Sequence, residues 1–230
     1  MLMVSPSVKN KSQSEIPYSE YLTSEQIELI SNNSNIVKFN AKDIIFKQNT
    51  RTSHVMFIKS GLIKILKEGR NKKVIIFKII TPEHFLANIS IFGEETFRYS
   101  ASAITDAKIL FIDIATFKSV IEQNGKFASL LLQLLSTDNL YFFDKLMTQN
   151  QKQLPGRVAE ILLFFSKQIY NSDTFEFPLS RTEIAELAGT TKESIIRTLA
   201  EFKNDKIIDI DGRYIKINSF DIINTLSKLG

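Results

Sequence analysis

The stretch Ser180 to Ile217, SRTEIAELAGTTKESIIRTLAEFKNDKIIDIDGRYIKI, decides the fold. Ser180 followed three residues later by Glu183 is a capping box, in which side chains satisfy the free N–H groups of a helix start. Ile184, Leu187 and Ala188 then supply one apolar stripe at helical spacing. Gly189 ends this helix, because glycine takes the left-handed conformation without a Cβ clash, and Thr190 or Thr191 caps the next one through its hydroxyl. The second helix reads Lys192 to about Asn204. Beyond it, Ile207 to Ile210 and Arg213 to Ile217 are β-rich runs separated by Asp211-Gly212, a dipeptide that favours a tight hairpin. The spacing predicts a winged helix-turn-helix.

On a helical wheel, Ile195, Leu199 and Phe202 share one face and Lys192, Glu193, Ile196 and Arg197 another. The first is core; the second is free to meet a partner. Small Ala185 and Gly189 let the two helices cross closely, with Ile195 filling the angle between them. Taken singly, charged residues on a helix are a solvated face. Capping box, small residue, turn glycine, buried isoleucine and hairpin agree in order and spacing, and that agreement points to DNA.

From Arg181 to Leu199 the chain resembles the DNA-binding motif of the CRP/FNR family of bacterial transcription regulators. The resemblance implies that Lys192, Glu193 and Arg197 reach base edges in the major groove, where arginine pairs with guanine and glutamate accepts from the cytosine amino group. The family usually carries arginine where this chain has Lys192, so the guanidinium fork is lost there. Ile196 faces the same side and is open to two readings, a thymine methyl or its own domain. Ser180, Thr191, Ser194 and Arg213 are the candidate contacts to the DNA backbone, with Lys203 and Lys216 also expected on the groove side.

The chain has 230 residues, 43% of them hydrophobic, enough for one or two globular domains. It contains no cysteine, which excludes disulfides, thiolate zinc sites, cysteine-ligated clusters and a cysteine nucleophile. Residues 1–14 lack the apolar core of a signal peptide and no run could span a bilayer, so a cytoplasmic protein without membrane contact is expected. The net charge of +4 is unevenly placed. From Leu154 to the end, ten Lys+Arg face eleven Asp+Glu, so the basic excess lies outside the DNA-binding segment. With only His54 and His84, the chain cannot supply the histidine cluster of a barrel metalloenzyme, and it has no P-loop or G-x-S-x-G elbow. No metal, no cofactor and no enzymatic activity are expected.

Upstream, residues 1–20 read as a mobile arm and Thr23 to Ser31 as a short capped helix. Short β-rich runs follow from Ile36, namely IVKF, DIIF, HVMFIK, LIKILK, KKVIIFKII, RYSASAI and AKILFID, with Gly61 at a tight turn; they indicate an antiparallel sandwich or barrel. This part resembles the cyclic-nucleotide-binding jelly roll of the same family. There a Gly-Glu pair and an arginine hold the ribose and the cyclic phosphate. Ala87 and Asn88 occupy the positions of the pair and Tyr99 that of the arginine, before Ser100. Arg98 is one residue early, on the opposite face of a strand. The resemblance therefore implies a degenerate effector pocket, no control by cyclic AMP, and an effector of unknown identity if one exists. Phe97 and Tyr99 either line a pocket or belong to the core.

After a short helix from Ala115, Lys126 to about Gln149 reads as a long helix apolar on more than one face. Leu131, Leu135 and Phe142 lie on one side and Leu134 and Tyr141 on another, together with Leu130. Such a helix needs two partners, its own barrel and the same helix of a second subunit. Pro155-Gly156 reads as a hinge, and Ser219 to Leu229 as a terminal helix. The expected architecture is α+β, with an N-terminal antiparallel jelly roll (21–124), a dimerisation helix (125–152) and a winged helix-turn-helix (153–230). The expected function is a homodimeric regulator reading a near-palindrome in double-stranded DNA, with RNA polymerase as the partner the family implies. The alternative is a small-molecule-sensing interaction module that does not bind DNA.

Overall fold

The computed structural model describes residues 16–86, 93 and 96–229. Among the described residues eight strands form the N-terminal sandwich: β1 (Ser34–Phe39), β2 (Ile44–Phe46), β3 (His54–Ser60), β4 (Ile63–Glu68), β5 (Val74–Ile80), β6 (Phe85–Leu86), β7 (Ser100–Ala103) and β8 (Ala107–Asp113). They make two antiparallel four-stranded sheets, β1-β8-β3-β6 and β2-β7-β4-β5, and the chain crosses repeatedly from one sheet to the other. This is the jelly roll. Strand β6 is too short to stand out in the sequence.

Alternation along each strand distributes the core into layers. Met56, Ile58 and Ile109 point between the sheets, with Ile63, Ile65 and Ala101 opposite. Val55, Phe57, Leu110 and Ile112 point the other way, onto Phe117, Phe127 and Leu131 of the following helices. The second sheet is covered on its outer face too. Leu62, Ile76 and Ile79 join one apolar cluster with Ile184, Leu187 and Phe177 of the C-terminal part. That explains why VIIFKII reads as a nearly unbroken apolar run: residues of β5 are wanted on both faces.

Helix α1 (Ser24–Asn32) starts on a capping box at Thr23, and α2 (Ile114–Gln123) on Asp113. Asn124 caps α3 (Gly125–Gln151), the long helix. The arm expected through residue 20 is already packed by residue 16. Ile16 is buried and the Tyr18 ring stacks on Phe85, because the outer face of the first sheet is apolar and needs cover.

The face assignments along α3 need correction. Leu131 is buried in its own protomer, with Leu134 packed beside it. Tyr141 donates to the Phe77 carbonyl at 3.3 Å and lies under the Lys78 ammonium, which also pairs with Asp138. Burial, with Glu160 and Asp138 nearby, pushes its phenol up to about 12. Leu135 and Phe142 are half-buried. The face turned outward instead carries Leu132, Leu140, Phe143, Leu146 and Met147, each more than half exposed. Apolar content around the helix could not show which stripe its own barrel takes.

The C-terminal part contains α4 (Leu154–Leu163), running on as a π-helical segment (Phe164–Tyr170), then β9 (Thr174–Glu176), α5 (Arg181–Ala188), α6 (Lys192–Asn204), the hairpin β10 (Ile208–Asp211) and β11 (Tyr214–Ile217), and α7 (Phe220–Leu229). The expected hinge is displaced. Pro155 and Gly156 lie inside the first turn of α4, where proline costs nothing because its missing N–H would be unpaired anyway. The chain bends at Lys152 and Gln153, both extended.

Gly61 has φ +90°, and a Cβ there would stand 2.4 Å from the Asp106 carbonyl oxygen. Gly212 has φ +57° with open space around it. Gly61→Ala is therefore expected to cost the sum of backbone strain and a backbone clash, roughly 3 kcal/mol or more, against about 1–2 kcal/mol for Gly212→Ala, measured by denaturant unfolding.

Candidate nucleic-acid interface

The helix-turn-helix is built by its ends. At the start of α5 the Ser180 hydroxyl accepts from the Glu183 N–H at 3.2 Å, while the Glu183 carboxylate accepts from the Ser180 N–H and hydroxyl. At its close Gly189 adopts φ +68°. Glycine is needed here for the conformation, while the Gln149 side-chain amide of the long helix lies where a Cβ would stand, 2.4 Å away at its Oε1, and would have to shift for one. Thr191, not Thr190, then caps α6, accepting from the Ser194 N–H.

A helix C-terminus leaves carbonyls without intrahelical partners. Here three side chains from outside the motif take them. Lys145 donates to the Leu187 carbonyl at 3.0 Å and Arg157 to that of Ala188 at 2.9 Å, while Gln149 lies 3.5 Å from the Leu187 oxygen and accepts from Arg157. Burial pushes the Lys145 ammonium below its usual range; Glu160 opposes the shift and Arg157 adds to it. These residues fix the head to the long helix. No local motif marks them, since they meet α5 only in three dimensions.

Helix α6 buries Ile195, Thr198, Leu199 and Phe202. Its opposite face presents Lys192, Glu193, Ile196 and Arg197 to the outside, and Ile196 is 48% exposed rather than packed into its own domain. Of the candidate backbone contacts, Thr191 and Arg213 are exposed and Ser194 is half-buried, bonded through its hydroxyl to that of Thr191. Ser180 needs correction, because its hydroxyl hydrogen is committed to Glu183. Lys203 also serves a different purpose, donating to the Ile210 carbonyl and tying α6 to the wing. Lys216 is exposed on β11. Arg181, not singled out by the sequence reading, reaches the wing turn and donates to the Gly212 carbonyl at 3.1 Å. Burial and then the neighbouring Arg213 charge lower its pKa, so two guanidiniums are held close at this end of the head. Tyr214, 57% exposed beside them, was likewise unmarked by any motif.

In the jelly roll, Ala87 and Asn88 lie outside the described residues. The Tyr99 ring leans on Phe46 at 5.8 Å and Phe97 stacks on Phe46 at 3.9 Å, so both aromatics belong to the inter-sheet core. Arg98 is on the exposed side and the Ser100 hydroxyl accepts from the Gln48 N–H. The cation at this position is thus turned away from the interior. His54 contacts Ser53 and His84 contacts Thr81 and Pro82; among the described residues no three His, Asp or Glu side chains gather as a metal site. No described helix is long and apolar enough to cross a membrane.

An antiparallel jelly roll joined through a long helix to a winged helix-turn-helix, whose second helix presents a polar outer face, defines a DNA-binding regulator with a sensor-type domain. Comparison with known proteins agrees domain by domain. Residues 36–124 match the cyclic nucleotide-binding domain family and residues 156–222 the Crp-like helix-turn-helix domain family. The CRP-like cAMP-activated global transcriptional regulator of Mycobacterium tuberculosis is 24% identical over 186 residues, 79% of this chain and 83% of that protein. The cAMP-activated global transcriptional regulator CRP of Salmonella typhimurium is 23% identical over 208 residues, covering 85% and 95%. Among solved structures, a crp/fnr-family transcriptional regulator from Eubacterium rectale superimposes with a TM-score of 0.80 at 20% identity, over 93% of this chain and 98% of that one. FixK2 from Bradyrhizobium japonicum gives 0.75 at 17%, over 84% and 96%. The chain belongs to the CRP/FNR family and is a transcription regulator of that type.

Glu183 gives the head a pH dependence. Burial raises its pKa, but hydrogen bonds from Lys64 and Ser180 outweigh burial, and the net shift is below the usual 4.5. A folded-state pKa below the unfolded value means that the unfolded chain binds more protons in that window, so stability rises with pH there. The contribution is present above about pH 4.5 and is lost as pH falls through the lower, folded value. Thermal melts of the wild type and Glu183→Gln should differ at pH 7 and converge toward pH 3.

Proposed function

We propose that this protein binds a near-palindromic operator as a homodimer in the cytoplasm, with Lys192, Glu193 and Arg197 reading base edges and Ile196 placed against a thymine methyl. The observation that carries this reading is the outward face of α6, where these four side chains stand together with no competing role in the fold. Ser194 and Arg213, with Arg181 beside them, would hold phosphates, whereas the Thr191 hydroxyl, like that of Ser180, already donates within the motif, to Ser194. Two such helices related by a twofold would enter successive major grooves about 34–36 Å apart. The alternative of a sensing module without DNA binding leaves that face unexplained. RNA polymerase is the further partner that transcription control requires.

Selection from a random duplex pool at about physiological salt should enrich two half-sites one helical turn apart. Arg197→Ala should then relax discrimination at one position per half-site by roughly 1–3 kcal/mol while leaving the other positions unchanged. A pool that stays random with folded, dimeric protein in the presence of cell extract would count against the DNA reading.

The second copy would be held by the exposed stripe Leu132, Leu140, Phe143, Leu146 and Met147 on α3. Paired helices bury such a stripe, which one protomer leaves open. Phe143→Asp should shift sedimentation from dimer to monomer and abolish operator binding with the head still folded.

Control by cyclic AMP does not follow from the family. With Tyr99 in the core and Arg98 outside, a cyclic phosphate in the barrel would lack its guanidinium, an unpaired charge costing several kcal/mol. Calorimetry with cyclic AMP should show no binding in the micromolar range; micromolar binding would refute this point. The effector, if the barrel takes one, is of a different chemistry.

A further inference from the structure

We infer that the tip of the β4–β5 hairpin is a second DNA contact, gripping phosphates that flank the operator; the inference rests on the DNA-binding reading above. Between Lys67 and Lys73 the chain reads KEGRNKK, four cations against the single carboxylate of Glu68. All four cations are exposed, and among the described residues none of them enters an ion pair or has another bonding partner for its side chain. Four like charges held together on a short turn repel one another, and among the described residues no ion pair relieves them. A polyanion would.

The hairpin is part of the same body as the head. Lys64 on β4 pairs with Glu183, the capping-box residue of α5, and Leu66 and Ile76 pack on the apolar cluster of the head. Glu183 in turn holds Ser180, and its neighbour Arg181 reaches the wing turn at Gly212. Wing turn, start of α5 and strand β4 are therefore linked by direct contacts. Leu66 is still packed against the head, and Glu68 is only two residues further. At about 3.4 Å per residue the tip projects roughly 7 Å beyond the apolar contact and about 14 Å from the Lys64 pair.

Charge gives the reason for such a contact. The head from Leu154 to Gly230 has ten Lys+Arg and eleven Asp+Glu, a net of −1. Affinity for duplex DNA comes largely from cations that displace counterions from phosphates, and the head alone is poorly supplied. The hairpin carries the missing charge on a strand bonded to the recognition unit through Lys64 and Glu183. An acidic protein surface could meet the same cations; the tip is held to the barrel by Gln48, which donates to the Glu68 carbonyl and accepts from its N–H, but the strand beneath it meets the head through Lys64 and Leu66, and that favours DNA.

The test compares the full-length wild type with the combined variant Lys67→Gln, Arg70→Gln, Lys72→Gln and Lys73→Gln on two duplexes. One ends at the selected operator; the other adds about ten base pairs on each side. The variant should lose roughly tenfold or more in affinity for the long duplex alone, and its slope of log affinity against log salt should flatten by about 0.9 per lost phosphate contact. Base preference within the half-sites should not change, and a Lys67→Arg, Lys72→Arg, Lys73→Arg variant should bind like the wild type. Equal affinities of wild type and variant on the long duplex would overturn the inference, as would an equal loss on both duplexes. Unchanged DNA binding with lost transcription in a reconstituted RNA polymerase assay would overturn it in favour of a protein contact. A wild type that binds neither duplex would remove the DNA reading itself, which separates that failure from this one.

Discussion

The free carbonyls at the end of α5 are the joint on which the arrangement of this protein depends. A helix cannot bury its last carbonyls unpaired, and here the partners are Lys145 and Gln149 of the long helix and Arg157 of the next one. The turn that follows α5 sets the angle of α6, so whatever holds the end of α5 aims the outward face of α6. Gly189, at φ +68°, makes the tight turn that leaves these carbonyls facing the long helix. Lys145 and Arg157 are both cations, which suits them to the negative end of a helix dipole. The cost is visible as well: Arg157 Nε is buried without a partner.

A second attachment runs through the barrel. Lys64 and the apolar face of β4 and β5 bind the start of α5, while the long helix binds its end. The head is therefore gripped at both ends of one short helix by two different parts of the N-terminal half. Any event that moves β4–β5 relative to the long helix must strain or break one of these attachments. Barrel and recognition helix are thus joined by packing and polar contacts, with the chain itself passing through the bend at Lys152 and Gln153.

The barrel has a settled interior of its own. Phe46, Phe97 and Tyr99 form an aromatic group between the sheets, where β2 ends and just before β7 begins. These rings fill the position by packing on one another. A sandwich tolerates this well, because aromatic pairs fill volume that a charged ligand would otherwise have to desolvate to enter.

The helix-turn-helix was legible from the sequence because its determinants are local: the Ser180–Glu183 box, Gly189, the Thr191 cap and the 3.6-residue spacing of Ile195, Leu199 and Phe202 all act within one or two turns. The alternating strands and the Asp211-Gly212 hairpin were legible for the same reason. What the sequence could not fix is which apolar face meets which partner. Leu131 and Tyr141 went to the barrel, and Leu140 and Phe143 were left outside, because that choice depends on where β5 and the first sheet lie in space. Likewise Ser180 and Lys203 lost their expected freedom to Glu183 and Ile210, and Lys145 and Arg157 acquired a role with no motif to announce it. Short-range hydrogen bonding and periodicity determine elements from sequence alone; only the packing of distant surfaces decides which of their side chains remain available to a partner.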